Sequence, residues 1–198
     1  MTSFEQTINY YNKKAALYVG DTRDIDFSPL QNEFASYVKK GGRIIDLGCG
    51  SGRDSKAFIG MGFDVVSIDG SSEICNLAKA YIGRNVICST FQDFETQGSY
   101  DGIWACASLL HLPIDELKNV LKKFTKSLND GGVFYLSFKY GTFSGERNGR
   151  HFTDMNEDSF LDLIGDIPEL KIIKQYISQD VRKGRDSEKW LNVFLKKC

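Results

Sequence analysis

At 198 residues the chain has the length of one domain with room for a sizeable core. Its 41% hydrophobic and 26% charged residues are those of an ordinary globular protein, which excludes disordered and fibrous classes. A net charge of −1 gives no broad electrostatic hold on nucleic acid or an anionic membrane, and no apolar run approaches the roughly 18 residues of a membrane span. The opening Met1-Thr2-Ser3-Phe4-Glu5-Gln6 lacks the shape of a signal peptide. The cysteines Cys49, Cys75, Cys88, Cys106 and Cys198 are scattered, without Cys-x-x-Cys or zinc spacing, so reduced cytoplasmic thiols and no metal site are expected.

Thr7–Val19 carries Ile8, Tyr11, Ala15 and Tyr18 at helical spacing. Ser28-Pro29 opens a second helix, which Gly41-Gly42 closes. Alternation then begins. Strands are predicted at Ile44–Leu47, Phe63–Asp69, Asn85–Ser89, Tyr100–Cys106 and Val133–Tyr140. Helices are predicted at Asp54–Met61, Ser71–Tyr81 and Asp115–Leu128, the last with Leu117, Val120, Leu121, Phe124 and Leu128 on one face. Gly141–Asn156 reads as a loop and Asp158–Ile164 as a helix. Lys171–Gln179 and Lys189–Lys196 follow as two apolar-rich runs with no helix between them, which predicts an antiparallel hairpin. The whole is an α/β chain: a doubly wound, mostly parallel seven-stranded sheet with a C-terminal antiparallel hairpin. It is expected as a single domain over 1–198, with a helical N-terminal cap over 1–40, a core over 41–140, and a substrate-side loop and closing hairpin over 141–198.

One run carries the chemistry: Asp46-Leu47-Gly48-Cys49-Gly50-Ser51-Gly52-Arg53-Asp54. A strand enters a glycine turn that leads into a helix, and glycine lets the backbone approach a ligand closely with positive φ available. The spacing is Gly-x-Gly-x-Gly rather than the Gly-x-Gly-x-x-Gly of a dinucleotide site. An acid just before the turn suits a ligand carrying an amino group or positive charge. This run resembles motif I of the class I S-adenosylmethionine-dependent methyltransferases, and later segments supply the rest of that pattern in order. With Gly-Ser-Gly-Arg-Asp at the turn and Leu109-Leu110-His111 after the fourth strand, residues 40–140 resemble small bacterial methyltransferases, including the tellurite-resistance type. Leu128-Asn129-Asp130-Gly131-Gly132 stands where that family has leucine–x–proline–glycine–glycine; turn chemistry survives without the proline.

The resemblance implies S-adenosylmethionine as cofactor and S-adenosylhomocysteine as product. In open α/β sheets a ligand sits beyond the carboxyl ends of the strands, so the residues just past each strand are the candidates. Asp46, Gly48 and Gly50 would serve the methionine portion, with Arg53 beside them. Asp69 and Gly70 would hold the ribose, Asp93 and Phe94 the adenine, and Cys106 the methyl-donor end. Tyr11 and Tyr18 would fold over the cofactor. From sequence alone, Asp69 is equally a helix cap, Asp93 an ordinary loop acid, and the tyrosines a helix's core face.

Methyl transfer needs alignment above all, and a base only where the acceptor must lose a proton. His111, just beyond strand four, is the candidate catalytic residue; its alternative is packing in the turn before Pro113. Tyr140, Arg147, Arg150, His151 and Arg185 are the candidate substrate-binding residues, a basic rim for a small polar or anionic acceptor. Ala105-Cys106-Ala107-Ser108 has neither the proline nor the aromatic of nucleobase amino-methylating enzymes, so DNA is not expected as a partner. Three other readings stay open. A tRNA-modifying enzyme of the wobble-uridine carboxylate type would put Arg147–His151 and Arg182–Arg185 on phosphates, and a non-catalytic cofactor-binding protein would lack turnover. An NAD-linked oxidoreductase would need the other glycine spacing. A monomer and a homodimer are equally compatible with the chain, and no membrane contact is expected.

Overall fold

In a computed structural model, residues 3–96, 98–182 and 184–198 are described. Lys183 of the second basic cluster, like Met1 and Thr2, lies outside them. The chain folds as α1 (Ser3–Thr22), α2 (Ser28–Tyr37), β1 (Arg43–Leu47), α3 (Arg53–Gly60), β2 (Asp64–Asp69), α4 (Ser72–Ile82), β3 (Ile87–Cys88) and β4 (Tyr100–Ala105). A 3-10 turn at Leu109–His111 follows, then α5 (Ile114–Ser127), β5 (Leu128–Lys139), β6 (Ser144–Arg147), β7 (Arg150–Thr153), α6 (Glu157–Ile164), β8 (Leu170–Gln179) and β9 (Lys189–Lys197). Among the described residues, no helix is long and apolar enough to cross a membrane.

Seven strands form one sheet in the order β3-β2-β1-β4-β5-β9-β8. The pairs β2–β3, β1–β2, β1–β4 and β4–β5 are parallel, while β5–β9 and β8–β9 are antiparallel. The inner strands are apolar on both faces because helices cover both. Ile45, Ile103, Phe134 and Leu195 face α5 and α6, whose Leu117, Val120, Leu121, Phe124, Phe160 and Leu163 complete that core. The alternate residues Ile44, Trp104, Tyr135 and Phe194 face α2 and α3, where Phe34 and Phe58 pack edge-on to the Trp104 ring.

The expected doubly wound sheet and closing hairpin are present, with one addition. Gly141–Asn156 is not a plain loop: β6 and β7 form a two-stranded antiparallel hairpin separate from the main sheet. Its turn is Asn148-Gly149, with φ of 54° and 77°, the positive pair that a type I′ turn requires and that Asn-Gly favours. This hairpin lies against α1, where His151 N donates to Thr7 Oγ1 at 3.0 Å and the Arg150 guanidinium lies 4.5 Å from the Tyr10 ring centre. At the far end of the sheet from the strand tips that form the ligand edge, Asp101 accepts from Arg43 N and Asn129 Nδ2.

Candidate functional site

Where β1 and β2 end side by side, the glycine loop turns over the strand tips: Gly48 N and Cys49 N both donate to Ile68 O at 2.9 Å. The loop needs glycine twice over. A Cβ on Gly48, at φ 77°, would stand 2.6 Å from Ser108 Cβ, and one on Gly50 would stand 2.9 Å from the Tyr18 hydroxyl. Asp69 clips the loop in place, accepting from Gly50 N at 3.1 Å and from Ser71 N at 2.9 Å. Burial pushes its carboxyl up to about 6, against the pull of those amides. A small cradle of about 50 Å³ remains here, with Gly48, Asp69, Gly70, Phe91, Ala107 and Ser108 among its walls.

Helix α1 lies across that cradle with Phe4, Ile8, Tyr11 and Tyr18 pointing in. Asn12 Oδ1 accepts from Ser71 Oγ at 2.7 Å and so fastens the helix to the start of α4. Pockets for drug-sized ligands run to about 300–1,000 Å³, so α1 must shift before a nucleoside enters. The donor set itself fits an adenosyl cofactor. Asp69 offers acceptors at the end of β2, and the Ser108 hydroxyl is buried in the cradle wall without a hydrogen-bond partner, an orphan that costs free energy until a ligand reaches it.

The cradle meets a second, larger cleft of about 660 Å³. Tyr11, Tyr18, Gly48, Ala107 and His111 line both and so mark the passage between them. At this passage Ala107 is one of two non-glycine residues with positive φ among the described residues, at 51°, and its amide donates to Ser137 Oγ at 2.8 Å. Such backbone is strained for alanine and is maintained only by its surroundings.

His111 is buried at this passage with both ring nitrogens engaged. Nδ1 lies 2.7 Å from the His151 carbonyl, which can only accept, so Nδ1 carries the proton. Nε2 is therefore bare and accepts from the Tyr11 hydroxyl at 2.9 Å. Burial lowers the imidazole to about 3 and raises the Tyr11 phenol above its usual range. Arg150 completes the chain, with NH1 3.3 Å from Tyr11 Oη.

The wider cleft runs over the α2 and α3 face of β5, β9 and β8, walled by Tyr135, Ser137, Tyr176, Ser178, Trp190 and Asn192. Most of its cations are paired. Arg53 grips Asp54 and lies 3.6 Å over the Phe27 ring; Arg147 pairs with Asp154, Arg182 with Asp180, and Lys139 and Arg185 with Glu188. Arg150 has no carboxylate partner among the described residues, and its buried Nε has no hydrogen-bond partner. Cys106 lines the cleft as a thiol that burial raises to about 12, unsuited to nucleophilic attack.

Of the residues expected from sequence, Tyr11, Tyr18, Gly48, Asp69, Gly70 and His111 line the cradle, while Arg53, Cys106, Arg147, Arg150 and Arg185 line the wider cleft. Gly50 lies beneath Tyr18 and donates to Asp69. Five further expected residues line neither cavity. Asp46 points under the loop, accepting from Ser55 Oγ at 2.6 Å, and its carboxyl is raised to about 8 by burial and by the neighbouring Asp54. Phe94 turns into the core, stacked 6.3 Å from Phe124 and nearly parallel to it; Phe91 takes the cradle wall instead. Asp93 is exposed because it closes a local turn with Thr90 Oγ1 at 2.7 Å. The Tyr140 hydroxyl donates to Glu157 on the outer surface. His151 serves through its backbone carbonyl, while its ring bonds Thr153. Ser108 belongs to the stretch 106–111 expected at the methyl-donor end, and Phe91 to the segment after strand three in which Phe94 is the residue preferred from sequence; sequence reasoning missed Tyr135, Tyr176 and Asn192, none of which stands in a motif.

A glycine turn after β1, an acid ending β2, a cleft beyond β4 and a parallel sheet closed by an antiparallel pair give the chain the fold of solved S-adenosylmethionine-dependent methyltransferases. Residues 44–132 match the family described as a methyltransferase domain. It is 28% identical over 131 residues to N-terminal Xaa-Pro-Lys N-methyltransferase 1 of Mus musculus, the match covering 59% of each chain. It is 29% identical over 104 residues to ubiquinone biosynthesis O-methyltransferase of Xanthomonas campestris pv. campestris, covering 49% of this chain and 43% of that one. The chain thus spans about half the length of these curated relatives. Among solved structures, 1,6-didemethyltoxoflavin-N1-methyltransferase of Burkholderia thailandensis, with its acceptor and S-adenosylhomocysteine bound, aligns with a TM-score of 0.74 at 16% identity. That alignment covers 96% of this chain and 84% of the other, a likeness of fold.

Proposed function

We propose that the protein transfers the methyl group of S-adenosylmethionine to a small anionic acceptor. The observation that carries the acceptor's charge is Arg150: a cation at the mouth of the passage, without a carboxylate partner among the described residues and with a buried, unpartnered Nε. S-adenosylmethionine supplies an electrophilic methyl group when bound. Asp69 would hold the ribose hydroxyls, as an ionised carboxylate accepts from two donors. Gly48 and Ala107 would bound the sulfonium end, since they line both cavities. Tyr11 and Tyr18 would close over it from α1. Arg150 would hold the acceptor from the other side, and the shared passage would set the two in line for displacement.

The test is calorimetric titration with S-adenosylmethionine and S-adenosylhomocysteine, using Asp69→Ala as control, followed by an acceptor screen that begins with small acids and ends with tRNA. Binding lost in Asp69→Ala, with turnover of a small acid, is the expected outcome. Turnover of tRNA and no small acid would replace the acceptor reading, and absence of cofactor binding would remove the function altogether.

A further inference from the structure

A hydroxyl acceptor needs a base beside it, and the buried and half-buried acids and imidazole of the cleft are already committed. His111 has both nitrogens bonded, at 2.7 and 2.9 Å. Asp54 accepts from Gln31 Nε2 at 2.6 Å, from Trp104 Nε1 at 3.0 Å and from Arg53. Asp180 accepts from Arg182 and from Trp190 Nε1 at 3.1 Å, while Glu188 pairs with Lys139 and Arg185. Asp21 and Asp26 stand exposed at the rim, where Asp26 also accepts from Ser28 N.

Donors, in contrast, are in surplus. The Arg150 guanidinium lies 4.5 Å from the Tyr10 ring centre and 5.0 Å from that of Phe152, which fixes its plane. Its NH1 reaches only the Tyr11 oxygen, at 3.3 Å, and its Nε reaches nothing. A fixed guanidinium with free N–H groups matches a carboxylate in geometry as well as charge.

We propose that the methylated atom is an oxygen of an acceptor carboxylate seated on Arg150, and that the product is a methyl ester. A lone pair of the carboxylate oxygen forms the new O–C bond as the C–S bond of the sulfonium breaks, and that bond's electrons pass to sulfur. The negative and positive charges cancel, and no proton moves. A site whose interior bases are all engaged is therefore complete for this reaction. It rests on the cofactor reading of the preceding section.

The experiment uses the full chain loaded with S-adenosylhomocysteine and titrated with benzoate, trans-cinnamate and succinate, each against its amide. At least one acid should bind ten times more tightly than its amide. Arg150→Gln should lose that preference while binding S-adenosylhomocysteine as before, which also shows that the variant folds. With methyl-tritiated S-adenosylmethionine, label transferred to the preferred acid should return as volatile methanol after mild alkali. Equal or absent binding of acids and amides to the loaded protein overturns the inference alone, as does label that alkali does not release. Failure of S-adenosylhomocysteine itself to bind the wild type overturns the cofactor reading as well.

Discussion

Asp69→Asn separates the two duties of that residue without changing its shape. The carboxylate accepts from Gly50 N and Ser71 N, at 3.1 and 2.9 Å, and keeps its remaining lone pairs for a ligand. An asparagine amide has one oxygen, so whichever way it turns, its NH₂ faces one of those two N–H groups. Leaving a buried donor unsatisfied costs about 1–3 kcal/mol. Loss of hydrogen bonds to a charged acceptor removes about 1.5–3 kcal/mol from ligand binding, or about 10- to 150-fold in Kd at 1.4 kcal/mol per decade. The assay is calorimetry with S-adenosylhomocysteine from pH 5 to pH 8. Burial sets the Asp69 carboxyl at about 6 in the free protein. The ligand prefers the ionised form, so wild-type affinity should be flat above that value and fall about tenfold per pH unit below it, since one pKa unit is about 1.4 kcal/mol. The variant should bind weakly and without this pH dependence. An Asp69→Asn affinity within about threefold of wild type at pH 8, or wild-type affinity unchanged down to pH 5, would refute the assignment.

Tyr11→Phe should strand His111 Nε2 in a buried site and cost about 1–3 kcal/mol. For a chain of this length that lowers Tm by roughly 2–12 °C, and an unchanged melting curve would show that the 2.9 Å contact carries no stability. Asn12→Ala removes the clasp between α1 and Ser71; stopped-flow fluorescence should show S-adenosylhomocysteine associating severalfold faster, and equal rates would mean that α1 does not gate entry. Asp46 has its carboxyl raised to about 8. The unfolded chain releases that proton near the ordinary aspartate value of about 3.9, so this residue erodes wild-type stability as pH rises from about 4 to 8. Asp46→Asn should flatten that part of the stability–pH curve in chemical denaturation, and an unchanged slope would show that the buried acid is ionised throughout.

The cradle was legible because its signals are local. Ile44, Ile45 and Leu47 announce a strand buried on both faces, and three glycines at alternate positions leave the loop little choice beyond a close turn. Asp69 follows from the same logic one strand later. What lay beyond local pattern was direction. Phe91 and Phe94 stand three residues apart in a segment without periodicity, and the turn that Thr90 makes with Asp93 decides which ring enters the cradle. The β6–β7 hairpin had a local signal in Asn148-Gly149, but its strands of four residues are too short and too mixed in polarity to read as alternation. His111 could be placed by sequence, yet its state depends on residues 11 and 151, which only the tertiary fold brings to it.

The acceptor cleft was the least legible part, for a reason that lies in the sheet. Along β5, a period of two puts Tyr135, Ser137 and Lys139 on one face, and along β8 it does the same for Tyr176 and Ser178. Period alone does not say which face meets α2 and α3, nor which residue of β9 stands opposite. The register answers both, pairing Ser137 with Asn192 and Asn192 with Tyr176. Asn192 then accepts from the Tyr135 hydroxyl at 2.8 Å and donates to Ser178 Oγ at 2.9 Å, joining three strands into one polar wall. A slip of one residue in β9 would turn Asn192 into the opposite core and bring Leu191 or Val193 to the cleft, leaving the Tyr135 hydroxyl buried and unpaired. The polar residues that make acceptor chemistry possible therefore also penalise the wrong register, while specificity for the acceptor resides in pairings that no single strand encodes.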